Sequence, residues 1–224
     1  MNKRVALIVG AGPGISAAFG EALIADSYQV ALSSRNVEKL SPLAAKMNAK
    51  AFAADASSPQ SLIRLFNEVD RSLGEPEVVL FNPSARIRGD LLTLDIETAS
   101  AAIQTVAIGA LVTAQEAARR MLPKGRGSIF FTGATASVKG LARSSVFAMG
   151  KFAVRGLAQS LARELGPQGI HVVHFVIDGG VVQGSQSLDL FSPRAIAQSY
   201  MAALAQPPGA WSWESELRSH TEPF

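Results

Sequence analysis

The sequence predicts an α/β fold: a doubly wound parallel sheet with helices on both faces, folded as a single domain. Three observations carry this. Short β-branched runs alternate along the chain with longer Ala-rich stretches of helical spacing. The runs are apolar almost throughout, as strands covered on both faces must be. The first run ends in a glycine-rich turn that opens onto a helical stretch. A chain of 224 residues, 48% hydrophobic, can bury a core of this kind, and no repeat or low-complexity linker divides it.

The strands, in order, are "RVALIVG", "QVALSS", "KAFAAD", "EVVLFN", "GSIFFTG" and "IHVVHFVID". Amphipathic spacing between and after them predicts helices over about 15–26, 37–47, 58–73, 97–121, 144–165 and 193–205. Helical crossovers between buried strands make the strands parallel. Near the end, "AWSWESELRSH" alternates Trp211, Trp213, Ser215 and Leu217 on one side, as an edge strand does, with the tryptophans read as packing residues. Residues 184–205, beginning "GSQSLDLF", are expected to supply a short substrate lid.

Composition excludes several chemistries. There are no cysteines, so disulfides, thiolate metal sites and a cysteine nucleophile are absent. His171 and His174 stand three apart in a strand and face opposite sides, so no metal site is expected. Lys and Arg number 21 against 18 Asp and Glu, scattered rather than gathered in a stripe, which argues against a nucleic-acid partner. The apolar run at the start is cut short by Gly10, Gly12 and Gly14, so it does not read as a signal peptide, and no later stretch reads as membrane-spanning. The expected location is the cytoplasm.

In such a sheet, ligands bind beyond the carboxyl ends of the strands. The first end reads "VGAGPGISAAFG". A standard dinucleotide fingerprint starting at Gly10 would need glycine at position 15, where Ile15 stands. The spacing Gly10-x-x-x-Gly14-x-Ser16 instead resembles the loop of the short-chain dehydrogenases/reductases, with Ser16 in place of a third glycine. This resemblance runs from about residue 3 to residue 183 and implies a Rossmann-like fold binding a nicotinamide nucleotide. It assigns cofactor contacts to Gly10, Gly14 and Ile15, to Ser34 and Arg35, to Asp55 and Ala56, to Asn82 in "LFNPSA", and to Lys151. A carboxylate after the second strand would accept from a ribose 2′-hydroxyl, whereas Ser34 and Arg35 offer a hydroxyl and a cation to a 2′-phosphate. NADP(H) is therefore expected over NAD(H).

The same resemblance implies a catalytic Asn, Ser, Tyr and Lys. The matching positions here carry Val106, Ala134, Phe147 and Lys151, so only the lysine is kept as a catalytic residue. Thr135 is the neighbour that a one-residue slip would put in place of Ala134; the four-residue step from Phe147 to Lys151 on one helical face allows no slip. The only tyrosines are Tyr28 and Tyr200, neither near this segment in sequence. In "VIDGGVVQG", Asp178 and Gln183 replace the family's Pro and Thr; Asp178 reads as a turn residue, with a substitute acid or base as the other reading. Ser137, Ser144 and Ser145 read as loop and helix-cap residues. Two functions follow: an NADP(H)-dependent oxidoreductase of small molecules with a non-standard active site, or a catalytically inactive NADP(H)-binding sensor or scaffold. The Ala-rich helices containing Gln104 and Phe147 carry more small apolar surface than one sheet face needs, and in the family they pair between subunits, so a homodimer or homotetramer is expected.

Overall fold

The computed structural model describes residues 4–182 and 191–220. Gln183 and the 184–190 part of the expected lid lie outside the described residues. Among the described residues seven strands form one sheet: β1 (Val5–Val9), β2 (Gln29–Ser34), β3 (Lys50–Ala53), β4 (Val78–Phe81), β5 (Gly127–Thr132), β6 (Ile170–Asp178) and β7 (Glu214–Arg218). The spatial order is β3-β2-β1-β4-β5-β6-β7, every neighbouring pair being parallel. Strand order reverses between β1 and β4, which opens a crevice at their carboxyl ends. The seventh strand lies on the edge, as its alternation implied, but it starts after both tryptophans.

Alternation along β1 divides the core into two layers. Val5, Leu7 and Val9 face a layer completed by α3 (Pro59–Ser72), α5 (Gly109–Met121) and α6 (Ser145–Leu165). Ala6 and Ile8 face α1 (Ile15–Ala25), α2 (Val37–Met47) and α7 (Pro193–Leu204). Local chemistry sets the helix starts. Asn36 caps α2 by accepting from Lys39 N at 2.9 Å, and Ser58 caps α3 by accepting from Ser61 N at 3.2 Å with Pro59 following. Much of the stretch expected as a lid is core: Ile196, Ala197 and Tyr200 of α7 are buried against α1 and the sheet.

One expected helix is broken. Instead of a continuous helix over 97–121, the chain forms α4 (Ile96–Ile103), a π-helical turn (Gln104–Ile108) and then α5. The turn lies where the chain squeezes between neighbours: Val106 packs on Gly150 of α6, and a Cβ at Gly109 would strike the Ala56 carbonyl. The whole run, Ile96–Lys124, reaches a mean hydropathy of 1.4 over a window long enough to cross a membrane, contrary to the expectation that no later stretch would. Its inner face is occupied by packing, with Val106, Ala110, Ala114, Ala117 and Met121 in the core. The outer face leaves Ile108 and Leu111 exposed.

Candidate functional site

The glycine turn after β1 is built by two constraints. Gly10 has φ +77°, a conformation that L side chains rarely adopt, and a Cβ there would lie 2.7 Å from Pro83 N and 2.8 Å from its Cγ. Gly14 is the N-cap of α1, and no side chain among the described residues caps that helix. Its first-turn N–H groups therefore remain for a ligand. Ile15 begins the helix and lines the adjoining cavity.

Ser16, which stands where a third glycine is usual, is 1% exposed and has a definite task. Its hydroxyl accepts from Asn82 Nδ2 at 2.8 Å and donates to the Gly10 carbonyl at 3.3 Å; Asn82 Nδ2 also reaches Gly10 O at 3.2 Å. Asn82 thus ties the end of β4 to the glycine turn. Along the chain Ser16 shows only its small size; its pairing with a residue 66 positions later is visible only in three dimensions.

Ser34, Arg35, Asp55 and Ala56 lie at the ends of β2 and β3, remote from the lysine end of the crevice. Ser34 donates to Asn36 O at 3.0 Å, and Arg35 is exposed. Asp55 accepts from Ser57 N and Ser57 Oγ at 2.9 and 2.8 Å. These bonds, with a smaller contribution from nearby Arg35, hold its carboxyl below the usual range.

A cavity of about 270 Å³ opens at the carboxyl ends of β4, β5 and β6 and brings together Ile15, Asn82, Ala134, Phe147 and Lys151. Thr135 lines it beside Ala134, so a hydroxyl is present although not at the family position. Lys151 is 3% exposed and donates to Thr132 O at 2.7 Å and to Pro83 O at 3.5 Å. Burial pushes its ammonium down to about 8. Of the three serines, Ser144 lines the cavity without capping α6, Ser137 Oγ accepts from Ala134 N at 3.1 Å, and Ser145 is exposed.

Two expectations change. Val106 does not line the cavity; it is buried in the core against Gly150. Asp178 is paired with Arg218 of β7 and is absent from the cavity wall, because alternation along the strand end gives that wall Ile177 and Gly179 instead. Tyr200, distant in sequence, bonds Thr132 Oγ1 at 3.0 Å, on the same residue whose carbonyl accepts from Lys151. It is nonetheless buried among Phe19, Phe130 and Phe175 off the cavity, and burial raises its phenol well above the ordinary value.

The sequence reading also missed Arg86, whose guanidinium lies 5.5 Å over the Phe147 ring at the cavity mouth. Another omission is the support behind the site. His174 is fully buried and bonds Glu214 through Nδ1 at 3.0 Å, while Arg155 of α6 grips the same carboxylate at 2.7 and 2.8 Å. A Cβ at Gly133 would strike the His174 ring, so glycine there lets the cavity floor rest on this group. His171 faces the other side, stacked on Trp211 at 4.7 Å.

Comparison with known proteins agrees with this geometry. The family model for short chain dehydrogenases matches residues 4–187. An uncharacterized oxidoreductase of Staphylococcus aureus (strain USA300) is 24% identical over 215 residues, covering 92% of this chain and 93% of that protein. The crystal structure of a short-chain dehydrogenase from Rhodopseudomonas palustris superposes with a TM-score of 0.86 at 33% identity, covering 97% and 99% of the two chains. An alcohol dehydrogenase from Thermococcus sibiricus, solved with 5-hydroxy-NADP, shares the fold with a TM-score of 0.87 at 22% identity, covering 98% of each chain. With the family model covering most of its length, this chain belongs to the short-chain dehydrogenases and is an oxidoreductase of that type.

Proposed function

We propose that the protein is an NADP(H)-dependent oxidoreductase of small carbonyl compounds or alcohols with a non-standard active site, working in the cytoplasm as a homodimer or homotetramer. The observation that carries this is the single cavity shared by Lys151, Asn82 and Ile15 beside an uncapped helix N-terminus. The loop itself fits a dinucleotide: among the described residues no side chain accepts from the first turn of α1 and nothing lies within 4 Å of a Cβ at Gly12, so the loop backbone is open to approach. Gly10, Gly14 and Ile15 would hold the pyrophosphate, Ser34 and Arg35 the adenosine 2′-phosphate, Asp55 and Ala56 the adenine, and Lys151 the nicotinamide ribose, with Asn82 holding the strand end beside the adenosine ribose. Structures solved with 5-hydroxy-NADP and NADP among proteins of this fold support the phosphate-bearing form.

The nicotinamide supplies or takes the hydride when bound. The chain's own part is to exclude water with the buried Phe147 and Ile177 and to hold a proton at Lys151 Nζ. Burial makes that proton easier to release near neutral pH, which suits a site lacking the family's phenol. The sensor reading has one observation in its favour: the residue facing the pocket four positions before the lysine is an apolar ring. Exposed Met149 and Phe152 on α6, with Ile108 and Leu111 on the neighbouring run, support the oligomer.

Calorimetry with NADPH and NADH on the wild type and Arg35→Ala, followed by a hydride-transfer screen over ketones, quinones and enones, tests the proposal. Tighter binding of NADPH that Arg35→Ala erases is expected, together with turnover of at least one activated carbonyl. Equal affinities would refute the NADP(H) preference, and tight binding without any turnover would favour the sensor.

A further inference from the structure

Arg86 is exposed at the cavity mouth, its guanidinium lies over the Phe147 ring, and among the described residues it makes no hydrogen bond or ion pair. The carboxylates on its own loop are engaged elsewhere: Asp90 pairs with Arg143 at 3.3 Å, and Asp95 accepts from Thr98 N at 2.8 Å. No Asp or Glu lines the cavity among the described residues. The second cation there, Lys151, is buried and committed to the Thr132 carbonyl. Arg86 is thus a cation steered toward the opening by an aromatic face, with its donors free. A guanidinium fork matches a carboxylate in shape as well as charge. The cavity, about 270 Å³, is at the small end for a ligand site and leaves little length between this cation and the reacting centre.

We propose that the cavity takes a small oxo acid or hydroxy acid, with Arg86 gripping the carboxylate while the carbonyl or hydroxyl lies toward Lys151. This deepens the function proposed above and rests on the same cavity. It also gives Phe147 a purpose: the ring that stands in place of the family's tyrosine braces the residue that recognises the substrate's charge.

The probes are 2-oxobutyrate and the neutral 2,3-pentanedione, which replaces its carboxylate by an acetyl group of similar shape. Each is titrated by ligand-observed NMR into the wild type, Arg86→Ala, Arg86→Lys and Arg88→Ala, with and without NADPH. Arg88 is exposed on the same loop and absent from the cavity wall, so its removal controls for net charge. The wild type should bind the acid about tenfold more tightly than the dione, as expected for one charge-assisted contact at an exposed site. Arg86→Ala should abolish the preference, Arg86→Lys should restore part of it, and Arg88→Ala should keep it. No acid-over-dione preference in the wild type, absent binding of both probes included, overturns the inference; so does a preference that survives Arg86→Ala. The readout is binding, so a lack of hydride transfer or of nucleotide affinity counts against the proposed function and leaves this preference to be decided by its own titration.

Discussion

Replacing Lys151 by methionine is expected to make the folded protein more stable at neutral pH while removing the lysine that the family resemblance singles out. Lys151 is 3% exposed and bonds only backbone carbonyls, those of Thr132 and Pro83; no carboxylate pairs with it among the described residues. Burial holds its ammonium at about 8, below the ordinary 10.5. The folded pKa lies below the unfolded one, so the unfolded chain binds this proton more tightly. The penalty is fully present below about pH 8 and lifts as the pH rises toward the unfolded value. At about 1.4 kcal/mol per pKa unit it amounts to about 3 kcal/mol. Methionine fills a similar volume without a charge, and the Thr132 carbonyl left without its donor returns about 1 kcal/mol of the gain. The variant should therefore be more stable by about 2 kcal/mol at pH 7. Urea unfolding of both proteins in steps from pH 7 to pH 10 measures this. Tyr200, whose phenol burial raises, affects both proteins alike, so the difference curve isolates Lys151. The advantage should shrink steadily above about pH 8. A variant less stable than the wild type at pH 7, or two parallel pH curves, would refute the reasoning. A lysine retained at such a cost is one the site uses, so nucleotide affinity should fall in the same variant.

Three other outcomes are expected. Asn82→Ala and Ser16→Ala should each destabilise by about 1 kcal/mol and weaken NADPH binding, and their double-mutant cycle should show coupling of about 0.5 to 1.5 kcal/mol, because both act on one hydrogen bond; additivity in urea unfolding would contradict the clamp. Phe147→Tyr with Ala134→Ser should raise ketone reduction by about 10² to 10⁴ over the wild type in steady-state assays, since the new phenol lies under Arg86 and beside Lys151, both of which favour its ionised form. An inert double variant with intact NADPH affinity would point to the sensor. Light scattering should give a dimer or tetramer for the wild type and a smaller species for Met149→Glu/Phe152→Glu, two changes at exposed apolar positions of α6.

The strands and helices were legible because each rests on local causes. Six apolar runs became β1 to β6, and helix starts such as Asn36 and Ser58 follow from the capping chemistry of one or two side chains. The glycine turn was legible for the same reason: Gly10 has the positive φ that a tight turn after a strand demands. The step from Phe147 to Lys151 places both on the cavity because four residues is close to one helical turn. What depended on packing between distant segments was not legible. Val106 went to the core and Asp178 to Arg218 because the facing partners, Gly150 and β7, are set by the tertiary arrangement and not by neighbours in sequence. The π-helical turn arose where the chain meets Gly150 and the Ala56 carbonyl, two surfaces contributed by other elements. Arg86 could be placed over Phe147 only once the loop after β4 and the start of α6 were brought face to face. Hydrophobic periodicity and turn chemistry act over a few residues and so can be read along the chain, whereas the charge, shape and partners of a cavity come from side chains tens of residues apart that only the closed sheet brings together.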